Sequence, residues 1–521
     1  MKIKHLIIGA GPGGIQLGYY LSKRNEEYIL IEKSNKAGSF FQTMPRHNTL
    51  ISINKVYTGF DDYEINQRWD WNSLLTEKED EPFLFKKYSE EYFPKANLYV
   101  DYLNDFVENY GINVSYNTTV LNVSKNEDNL FVVTTDKETY YAEKVICATG
   151  KSKSYVPNFE GVELAETYEK FDIDPKKYTN KRVMIVGKGN SALETADSLV
   201  EHAAVIHLIS PNPIRLAWKT HYVGHVRAVN NNFLDTYQLK SQNTILDADI
   251  EKVELLENGK KRVHFTYNHA EGQKLALDVD YLILCTGFMF DDTIFKGGNC
   301  KIEISDCGKF PKMTSEWEST TVKDLYFMGV LTHFRDYQKS FSGFIHGFRY
   351  NAKCFDQILK SKEENSEFQY TNFKFDVESF IQKFIDRVNQ DSAMFQQPSF
   401  IGDIYVLNKS DDQISLIKSI PVDYFRDKKC EEKIYFQATM EYGKLDGIVD
   451  PFNIYRYPED GGKSAFIHPI CRLYHGSDLI EEYHLPEDLE NNWDNEMYIG
   501  PFRNFLQGVW SHNILDASVI G

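Results

Sequence analysis

The stretch Lys4-His5-Leu6-Ile7-Ile8-Gly9-Ala10-Gly11-Pro12-Gly13-Gly14 lies at the start of the chain and decides its fold. The apolar run before Gly9 predicts a buried strand, and residues 15–22 after the glycines predict a helix. A second apolar run, residues 28–31, ends on Glu32, 23 residues after Gly9. Strand, glycine-rich turn, helix, strand and acid in this order form the dinucleotide-binding βαβ fingerprint. The sequence therefore predicts a Rossmann-like domain here.

The glycines of this turn have separate tasks. Gly9 allows the tight turn, Gly11 lets backbone N–H groups approach a pyrophosphate, and Gly14 lets the helix pack closely on the strand. The helix N-terminus adds the positive end of its dipole, and Glu32 is placed to accept hydrogen bonds from the ribose hydroxyls. The dinucleotide contacts predicted from this unit are Gly9, Gly11, Pro12, Gly13, Gly14 and Glu32.

The same unit recurs later in the chain. Residues 182–186 form an apolar run, Gly187-Lys188-Gly189-Asn190-Ser191-Ala192 is the turn, and residues 193–200 predict the helix. Ala192 stands where the third glycine would be, which is a permitted variant. Two such units predict two dinucleotide-binding domains, and all six residues of this turn are predicted contacts of the second dinucleotide.

The two units differ where the ribose is bound. The second strand of the later unit ends on Ser210, 23 residues after Gly187, the same offset as in the first unit. A carboxylate at this offset binds a free 2′-hydroxyl and repels a 2′-phosphate, whereas Ser210 is neutral. Three cations are close in sequence: Lys188, Arg215 and Lys219. We predict FAD in the first unit and NADPH in the second; the alternative is that these cations are ordinary surface charges.

Length and composition restrict the class of protein. A chain of 521 residues is too long for one core, so two or three domains are expected. Its net charge of −18 disfavours nucleic acid as a partner. No apolar run reaches the roughly 18–20 residues of a membrane helix, and the first strand leaves no room for a cleavable signal peptide. The seven scattered cysteines, without a CxxC, fit a reducing compartment. We expect a cytoplasmic enzyme with no membrane partner.

The predicted fold is α/β, with two Rossmann-like domains and an additional C-terminal α+β segment. Residues 1–155 and 288–360 are assigned to the FAD-binding domain, residues 156–287 to the NADPH-binding domain, and residues 368–521 to the C-terminal domain of unknown role. Residues 360–367 are polar and predict a linker. Cys147 and Cys285 lie in apolar runs and are interpreted as core residues. The small residues at 342, 343 and 347 indicate either part of a helix or close backbone approach to a ligand.

With these residues in view, the chain resembles flavin-containing monooxygenase-like enzymes of the two-dinucleotide-binding-domain flavoprotein group. The motifs that carry the resemblance are residues 9–14, Glu32, Gly38-Ser39-Phe40, Ala148-Thr149-Gly150, residues 187–192 and Thr286-Gly287-Phe288. A closer likeness, which extends into the C-terminal segment, is to endoplasmic-reticulum flavoproteins associated with protein degradation. It is carried by stretches such as Trp71-Asn72-Ser73-Leu74-Leu75, Thr220-His221-Tyr222-Val223-Gly224 and Met440-Glu441-Tyr442-Gly443.

The resemblance implies both further site residues and a reaction. It adds these cofactor-binding residues: Lys33, Gly38, Ser39, Phe40, Val120, Ala148, Thr149, Gly150, Thr286, Gly287 and Gly329. It implies that NADPH reduces FAD, that O2 then forms a flavin C4a-hydroperoxide, and that Asn54 positions it. The substrate would be a small molecule oxygenated at a nitrogen or sulfur centre. In one departure, Ala165 stands where the FxGxxxH motif of the monooxygenases has its histidine.

Two other functions stay open at this point. One is a thiol–disulfide reductase that uses the same cofactors, although the chain has no CxxC to serve as an internal relay. The other is a non-catalytic protein in which the flavin is structural and residues 368–521 recruit a protein partner. No metal-ligand spacing is present, so no metal site is predicted.

Overall fold

The computed structural model describes residues 2–444, 456–457 and 459–511. The protein has the predicted α/β architecture, with two sheets built around parallel strands and a third, antiparallel sheet in the C-terminal segment. The first domain begins with β1 (Lys2–Ile8), α1 (Pro12–Lys23), β2 (Tyr28–Ile31), α2 (Tyr63–Asn66), α3 (Ala96–Asn109), β3 (Val114–Ser115), β4 (Val120–Lys125), β5 (Phe131–Thr135) and β6 (Thr139–Cys147).

The first sheet has the strand order β3-β2-β1-β6-β5-β4. β1 lies in parallel between β2 and β6, so the glycine-rich turn sits at the carboxyl edge of the central strand. The apolar residues at 114, 116, 120, 123, 131–133 and 140–141 predict a small antiparallel meander. β4, β5 and β6 form it. Val114 is an exception, since it belongs to β3, which pairs in parallel with β2. The meander strand around residue 140 and the apolar run after residue 144 are one continuous strand, β6.

The second domain repeats this arrangement. β9 lies in parallel between β10 and β14, as β1 does between β2 and β6. Short strands β7 and β15 pair where the chain passes between the two domains. Cys147 and Cys285 are buried, which confirms their interpretation as core residues. The elements are β7 (Lys153–Ser154), β8 (Glu166–Thr167), β9 (Arg182–Val186), α4 (Asn190–Leu199), β10 (Val205–Ser210), α5 (Ala217–Thr220), α6 (Asn232–Gln238), β11 (Thr244–Leu255), β12 (Lys261–Tyr267), β13 (Lys274–Val279), β14 (Tyr281–Leu284) and β15 (Phe288–Met289).

The chain then returns to the first sheet. β16 (Leu325–Phe327) pairs in parallel with β6, and α7 (Ile345–Glu364) packs against α1. The prediction that residues 360–367 are a linker was wrong for their first half, because α7 continues to Glu364. The Glu363 carboxylate accepts hydrogen bonds from Lys4 at 2.9 Å and from His5 at 2.8 Å, and this ion pairing ties the last turn of α7 to β1.

Gly343 and Gly347 are explained by the packing of the chain on itself. A Cβ atom on Gly347 would lie 1.9 Å from the carbonyl oxygen of Phe341, and one on Gly343 would lie 2.7 Å from the His333 ring. Gly347 is also in the first turn of α7. The close backbone approach at these two glycines is therefore to this chain's own atoms.

The C-terminal segment is α+β, as predicted. Its antiparallel sheet has the order β17-β19-β18-β20-β21-β22, and its own hydrophobic core includes Phe380, Phe384 and Phe436. Among the described residues, no helix has the length and apolar character needed to span a membrane. The elements are β17 (Thr371–Lys374), α8 (Val377–Gln390), α9 (Ser392–Gln396), β18 (Ile401–Asn408), β19 (Gln413–Pro421), α10 (Val422–Lys428), β20 (Ile434–Tyr442), β21 (Ile467–His475), β22 (Asp478–His484) and α11 (Glu496–Val509).

Candidate cofactor sites

The first glycine-rich turn leaves open space at one glycine. A Cβ on Gly14 would lie 2.1 Å from the carbonyl oxygen of Gly9, and one on Gly13 would lie 2.4 Å from the Cα of Gly329. A Cβ on Gly11 would meet no atom within 4 Å. Gly11 precedes α1, whose N-terminus has Pro12 in its first turn and no side-chain cap. The turn is therefore closed on the protein side and open where a pyrophosphate would meet the helix N-terminus.

Glu32 is held at the edge of this turn. The side chain is buried, and its Oε2 atom accepts a hydrogen bond of 2.9 Å from the backbone N–H of Ala10. Its Oε1 atom accepts from the N–H of Ser34 at 2.9 Å and from the hydroxyl of Ser39 at 3.2 Å. A carboxylate has about four acceptor sites, so Glu32 is oriented by the chain and can still accept from a ribose.

Several other predicted residues are brought to the same place. Gly38, with φ of 66°, donates a hydrogen bond of 2.8 Å to the carbonyl oxygen of Ala10. The carbonyl oxygen of Ala148 lies 2.8 Å from where a Cβ on Gly9 would be, and Thr149 and Gly150 follow it. Val120 begins β4, two residues after Thr118, whose N–H donates to the Glu32 carbonyl.

Lys33 and Phe40 are exposed. The Phe40 ring makes edge contacts with the rings of Phe41 and Phe288, at centroid distances of 5.4 and 6.3 Å. Phe288 is the first residue of β15, so the Phe40 ring packs against the strand at which the chain passes between the two domains. The assignment of Lys33 and Phe40 as cofactor contacts stays a prediction.

The second turn has the same pattern of closed and open glycines. A Cβ on Gly187, with φ of 129°, would lie 2.3 Å from the carbonyl oxygen of Cys285, whereas one on Gly189 would meet no atom within 4 Å. α4 begins after Gly189 without a side-chain cap. The Asn190 side chain accepts a hydrogen bond of 2.9 Å from the N–H of Arg227, so it fixes the facing loop. The Ser191 carbonyl accepts from Thr195 within α4, and the methyl group of Ala192 is buried.

The three cations near Ser210 have different environments. Lys188 is buried, and its amine pairs with Asp247 and donates to the carbonyl oxygen of Leu246 at 3.1 Å. Arg215 and Lys219 are exposed. The Ser210 hydroxyl donates to the carbonyl oxygen of Asn212 at 3.3 Å. Because the charge of Lys188 is already paired, Arg215 and Lys219 are the cations among the three left to attract a 2′-phosphate.

Three predicted residues hold backbone segments in place. The Thr286 hydroxyl donates to the carbonyl oxygen of Tyr155 at 2.5 Å, and the Gly287 carbonyl accepts from the N–H of Tyr155 at 2.9 Å. The Asn54 side chain is buried, and its amide nitrogen donates to the carbonyl oxygen of Ser89 at 2.6 Å. The amide nitrogen of Asn54 is therefore committed to a loop, and its catalytic role stays a prediction.

Two ionisable residues near these sites were not predicted from the sequence. Glu194 lies in α4, and burial raises its pKa to about 7. Lys151 follows Gly150, its amine lies 4.9 Å from the centre of the Phe310 ring, and burial together with the charge of Lys309 lowers its pKa to about 8. Their positions next to the two turns were visible in the sequence, but their burial comes from distant segments.

Replacing Glu194 with glutamine is expected to stabilise the protein more at pH 8 than at pH 5. The folded-state pKa of about 7 exceeds the roughly 4.3 of an unfolded glutamate, so the folded state binds the proton more tightly. The tighter proton binding contributes its full amount to the free energy of unfolding below about pH 4, and this contribution is lost as the pH rises to about 7. Between pH 5 and 8, the gain of the variant in the free energy of unfolding should grow by about 2–3 kcal/mol, measured by urea denaturation. Glu201→Gln, at an exposed position after α4, is the control; equal gains at both pH values would contradict the prediction.

Comparison with known proteins agrees with this geometry. The profile of the pyridine nucleotide-disulphide oxidoreductase family matches residues 6–329, which include both glycine-rich turns. The chain belongs to this family. The chain and the mouse FAD-dependent oxidoreductase domain-containing protein 2 are 32% identical over 559 residues, 96% of this chain and 83% of the mouse protein. Membership of the pyridine nucleotide-disulphide oxidoreductase family makes the protein a flavoprotein oxidoreductase.

Solved structures show the same fold over the two dinucleotide domains. The bacillithiol disulfide reductase of Bacillus cereus is 20% identical with a TM-score of 0.53, and it covers 70% of this chain and 100% of its own. A flavin-containing monooxygenase from Stenotrophomonas maltophilia is 17% identical with a TM-score of 0.53, covering 70% of this chain and 99% of its own. Because a reductase and a monooxygenase match equally well, the fold alone does not choose between the two reactions.

Proposed function

We propose that the protein is an FAD- and NADPH-dependent oxidoreductase and, more specifically, a monooxygenase that acts on a nitrogen or sulfur centre of a small molecule. The observation that carries the proposal is the pair of matching turns, each with one glycine open to space in front of an uncapped helix. The buried acid Glu32 at one turn and the neutral Ser210 at the other favour a free ribose in the first site and a phosphorylated ribose in the second.

Each cofactor would be held by groups that this chain already orients. The N–H groups at the start of α1 and the open face of Gly11 suit the FAD pyrophosphate, and Glu32 suits its ribose. The start of α4 and Gly189 suit the NADPH pyrophosphate. Bound FAD supplies a ring system that accepts a hydride and passes electrons on. The residues of the chain bind and orient the two cofactors and exclude water.

The cysteines favour O2 over a disulfide as the electron acceptor. All seven are free; six are buried, and burial raises the pKa of the exposed one, Cys307, less than its hydrogen bond with Ser305 and the charge of Lys309 lower it. Burial raises the pKa of Cys147 to about 11 and that of Cys285 to about 12, which disfavours the reactive thiolate. An internal relay needs two adjacent reactive thiols. In the proposed reaction one atom of O2 enters the substrate and the other leaves as water, whose two hydrogens come from the hydride of NADPH and one proton from solvent, and NADPH becomes NADP⁺.

The proposal is tested by reducing the flavin with NADPH without oxygen and then mixing it with either O2 or oxidised glutathione in a stopped-flow instrument. We expect O2 to reoxidise the flavin rapidly, with a transient absorbance band that belongs to neither oxidised nor reduced flavin, and oxidised glutathione to have no effect. Rapid reoxidation by the disulfide alone would instead establish a reductase. Failure of NADPH to bleach the flavin would favour the partner-binding protein.

Arg215→Ala is expected to raise the KM for NADPH about tenfold and to leave the KM for NADH unchanged. The exposed guanidinium of Arg215 would contribute a charge-assisted hydrogen bond to the 2′-phosphate, and tenfold corresponds to about 1.4 kcal/mol. Initial rates with the two nicotinamides measure this, with Lys240→Ala as an exposed control in the same domain. If wild type uses both nicotinamides equally, the 2′-phosphate is not recognised and the cations are ordinary surface charges.

We further propose a cytoplasmic location and a protein partner for the C-terminal domain. The location rests on the seven free cysteines, since oxidising compartments favour paired ones. The net charge of −18 argues against nucleic acid as the partner. Fractionation of cells that produce the full chain tests the location, and recovery with a secretory or membrane fraction would contradict it.

A further inference from the structure

A cavity lies where the three domains meet. Its volume is about 220 Å³. The first domain contributes Trp71, the second contributes the segment around α5 with Trp218 and His221, and the C-terminal domain contributes Gln396 and Tyr442. Apolar cavities of about 150 Å³ accept a benzene ring, so this cavity has room for one or two fused rings. No assigned residue of either cofactor site lines it.

The walls of the cavity select an uncharged ligand. Five aromatic side chains line it, and among the described residues His221 is its one ionisable side chain apart from Tyr442. Two of these rings already face a guanidinium group: Arg227 lies 5.2 Å from the ring of Trp71, and Arg68 lies 5.0 Å from that of Phe395. A cationic ligand on these rings would be repelled by the two guanidinium groups that already lie over them. A flat neutral ring gains stacking and apolar contacts without this repulsion.

Two polar side chains give the cavity a preference for a hydrogen-bond donor. The amide nitrogen of Gln396 donates to the carbonyl oxygens of Gln67 and Arg68, at 3.0 and 2.5 Å, which leaves the amide oxygen as the group to accept from a ligand. The His221 ring lies 4.5 Å from the Tyr442 ring, in a residue with left-handed backbone. Burial lowers the pKa of His221, so its neutral ring can accept as well.

The cavity is fixed to both cofactor-binding domains. The Trp71 ring stacks at 4.1 Å on the ring of His346, in the first turn of α7. Tyr222, which follows His221, forms a hydrogen bond of 2.7 Å with the ring nitrogen of His333. Both contacts join cavity walls to the segments that follow Gly329, and Gly329 packs against the first glycine-rich turn.

We propose that this cavity binds neutral, flat aromatic molecules of one or two rings that carry an N–H or O–H donor, and that the substrate is one of these that also contains the nitrogen or sulfur centre to be oxygenated. This assignment rests on the oxidoreductase function proposed above. It accounts for the aromatic walls, the volume and the two acceptors together.

The test uses 2-naphthol as the probe with the FAD-loaded protein. Calorimetric titration should show binding of 2-naphthol at least about tenfold tighter than that of 2-methoxynaphthalene, which has the same rings and no donor. The anion 2-naphthoate and the cation 2-naphthylmethylamine should bind still more weakly. Tighter binding of either charged probe, or no binding of 2-naphthol, would overturn the proposal.

Two substitutions in the cavity wall test whether 2-naphthol binds there. Ala217→Leu places a larger side chain in the cavity wall, and His221→Asn removes the ring while keeping a residue that tolerates left-handed backbone. Each should weaken 2-naphthol binding at least tenfold, whereas Tyr237→Ala, at an exposed position in α6, should not. Unchanged binding in Ala217→Leu, with flavin content and circular dichroism as in wild type, would place the probe elsewhere and overturn the assignment.

Turnover separates this proposal from the proposed function. Saturating 2-naphthol should change the rate of NADPH oxidation at least twofold in wild type and not in Ala217→Leu. A bound probe with unchanged turnover would overturn the assignment of the cavity to the substrate. In another outcome NADPH does not reduce the flavin, although the four probes bind in the expected order of affinity. That result would contradict the oxidoreductase function and leave the ligand class of the cavity supported.

Discussion

Gly11→Ala is expected to leave the protein folded and to weaken FAD binding about 100-fold. A Cβ at this position meets no protein atom within 4 Å, and φ of −77° suits alanine, so the apoprotein loses nothing. The same open space is where a pyrophosphate must approach the uncapped start of α1, and a methyl group there would keep it away. An overlap that costs about 3 kcal/mol corresponds to roughly 100-fold in affinity. Titration of the apoprotein with FAD measures the loss, and its thermal midpoint measures the fold.

Gly14→Ala is expected to lose both flavin and stability, because its Cβ would lie 2.1 Å from the carbonyl oxygen of Gly9 and the start of α1 must move away from β1. Gly500→Ala is the matched control, since that helical glycine has room for a methyl group. A Gly11→Ala protein that is purified yellow and binds FAD like wild type would show that the pyrophosphate does not lie against this turn.

The parts of the fold that the sequence predicts are those set by short-range geometry. Gly9, Gly14 and Glu32 lie within one βαβ unit, and the positions that need a missing Cβ or a carboxylate can be counted along the chain. The structure brings Glu32 back to the N–H of Ala10, as that spacing requires. The second unit follows for the same reason. In the first domain the pairing of Val114 with β2 was missed, because a strand of two residues has too few positions to show an alternation of apolar and polar residues.

What the sequence does not predict depends on partners far along the chain. The cation of Lys188 is paired with Asp247, 59 residues later, and its closeness in sequence to Ser210 does not reveal that partner. Residues 360–364 looked like a polar linker because the hydrogen-bond partners of Glu363, Lys4 and His5, lie at the other end of the chain. The aromatic cavity is lined by segments from three domains, and no local sequence pattern predicts that they meet.

A network of buried charges in the C-terminal domain determines where part of that cavity lies. The Arg387 guanidinium donates to both carboxylate oxygens of Asp403, at 2.5 and 3.0 Å, and pairs with Asp391. Both carboxylates are buried. Asp391 also accepts a hydrogen bond of 2.6 Å from the N–H of Met394 and so caps α9, the helix that ends on Gln396. The charge of Arg387 therefore supports the helix that provides one cavity wall.

Arg387→Met is expected to lower the free energy of unfolding by about 3–5 kcal/mol, because it leaves two buried carboxylates without their cation. Urea denaturation followed by circular dichroism measures the loss. Arg503→Met, which breaks exposed ion pairs with Glu378 and Glu496, should have little effect on stability, because solvent screens both pairs.

The combination Arg387→Met, Asp391→Asn and Asp403→Asn should recover most of the loss, because it removes the unpaired charges and keeps an amide to cap α9. If the triple variant were as unstable as Arg387→Met alone, the cost would come from packing of the arginine stem and not from buried charge. If Arg387→Met had wild-type stability, the two carboxylates would have to take up protons at little cost, and Arg387 would not be what holds α9 against the cavity.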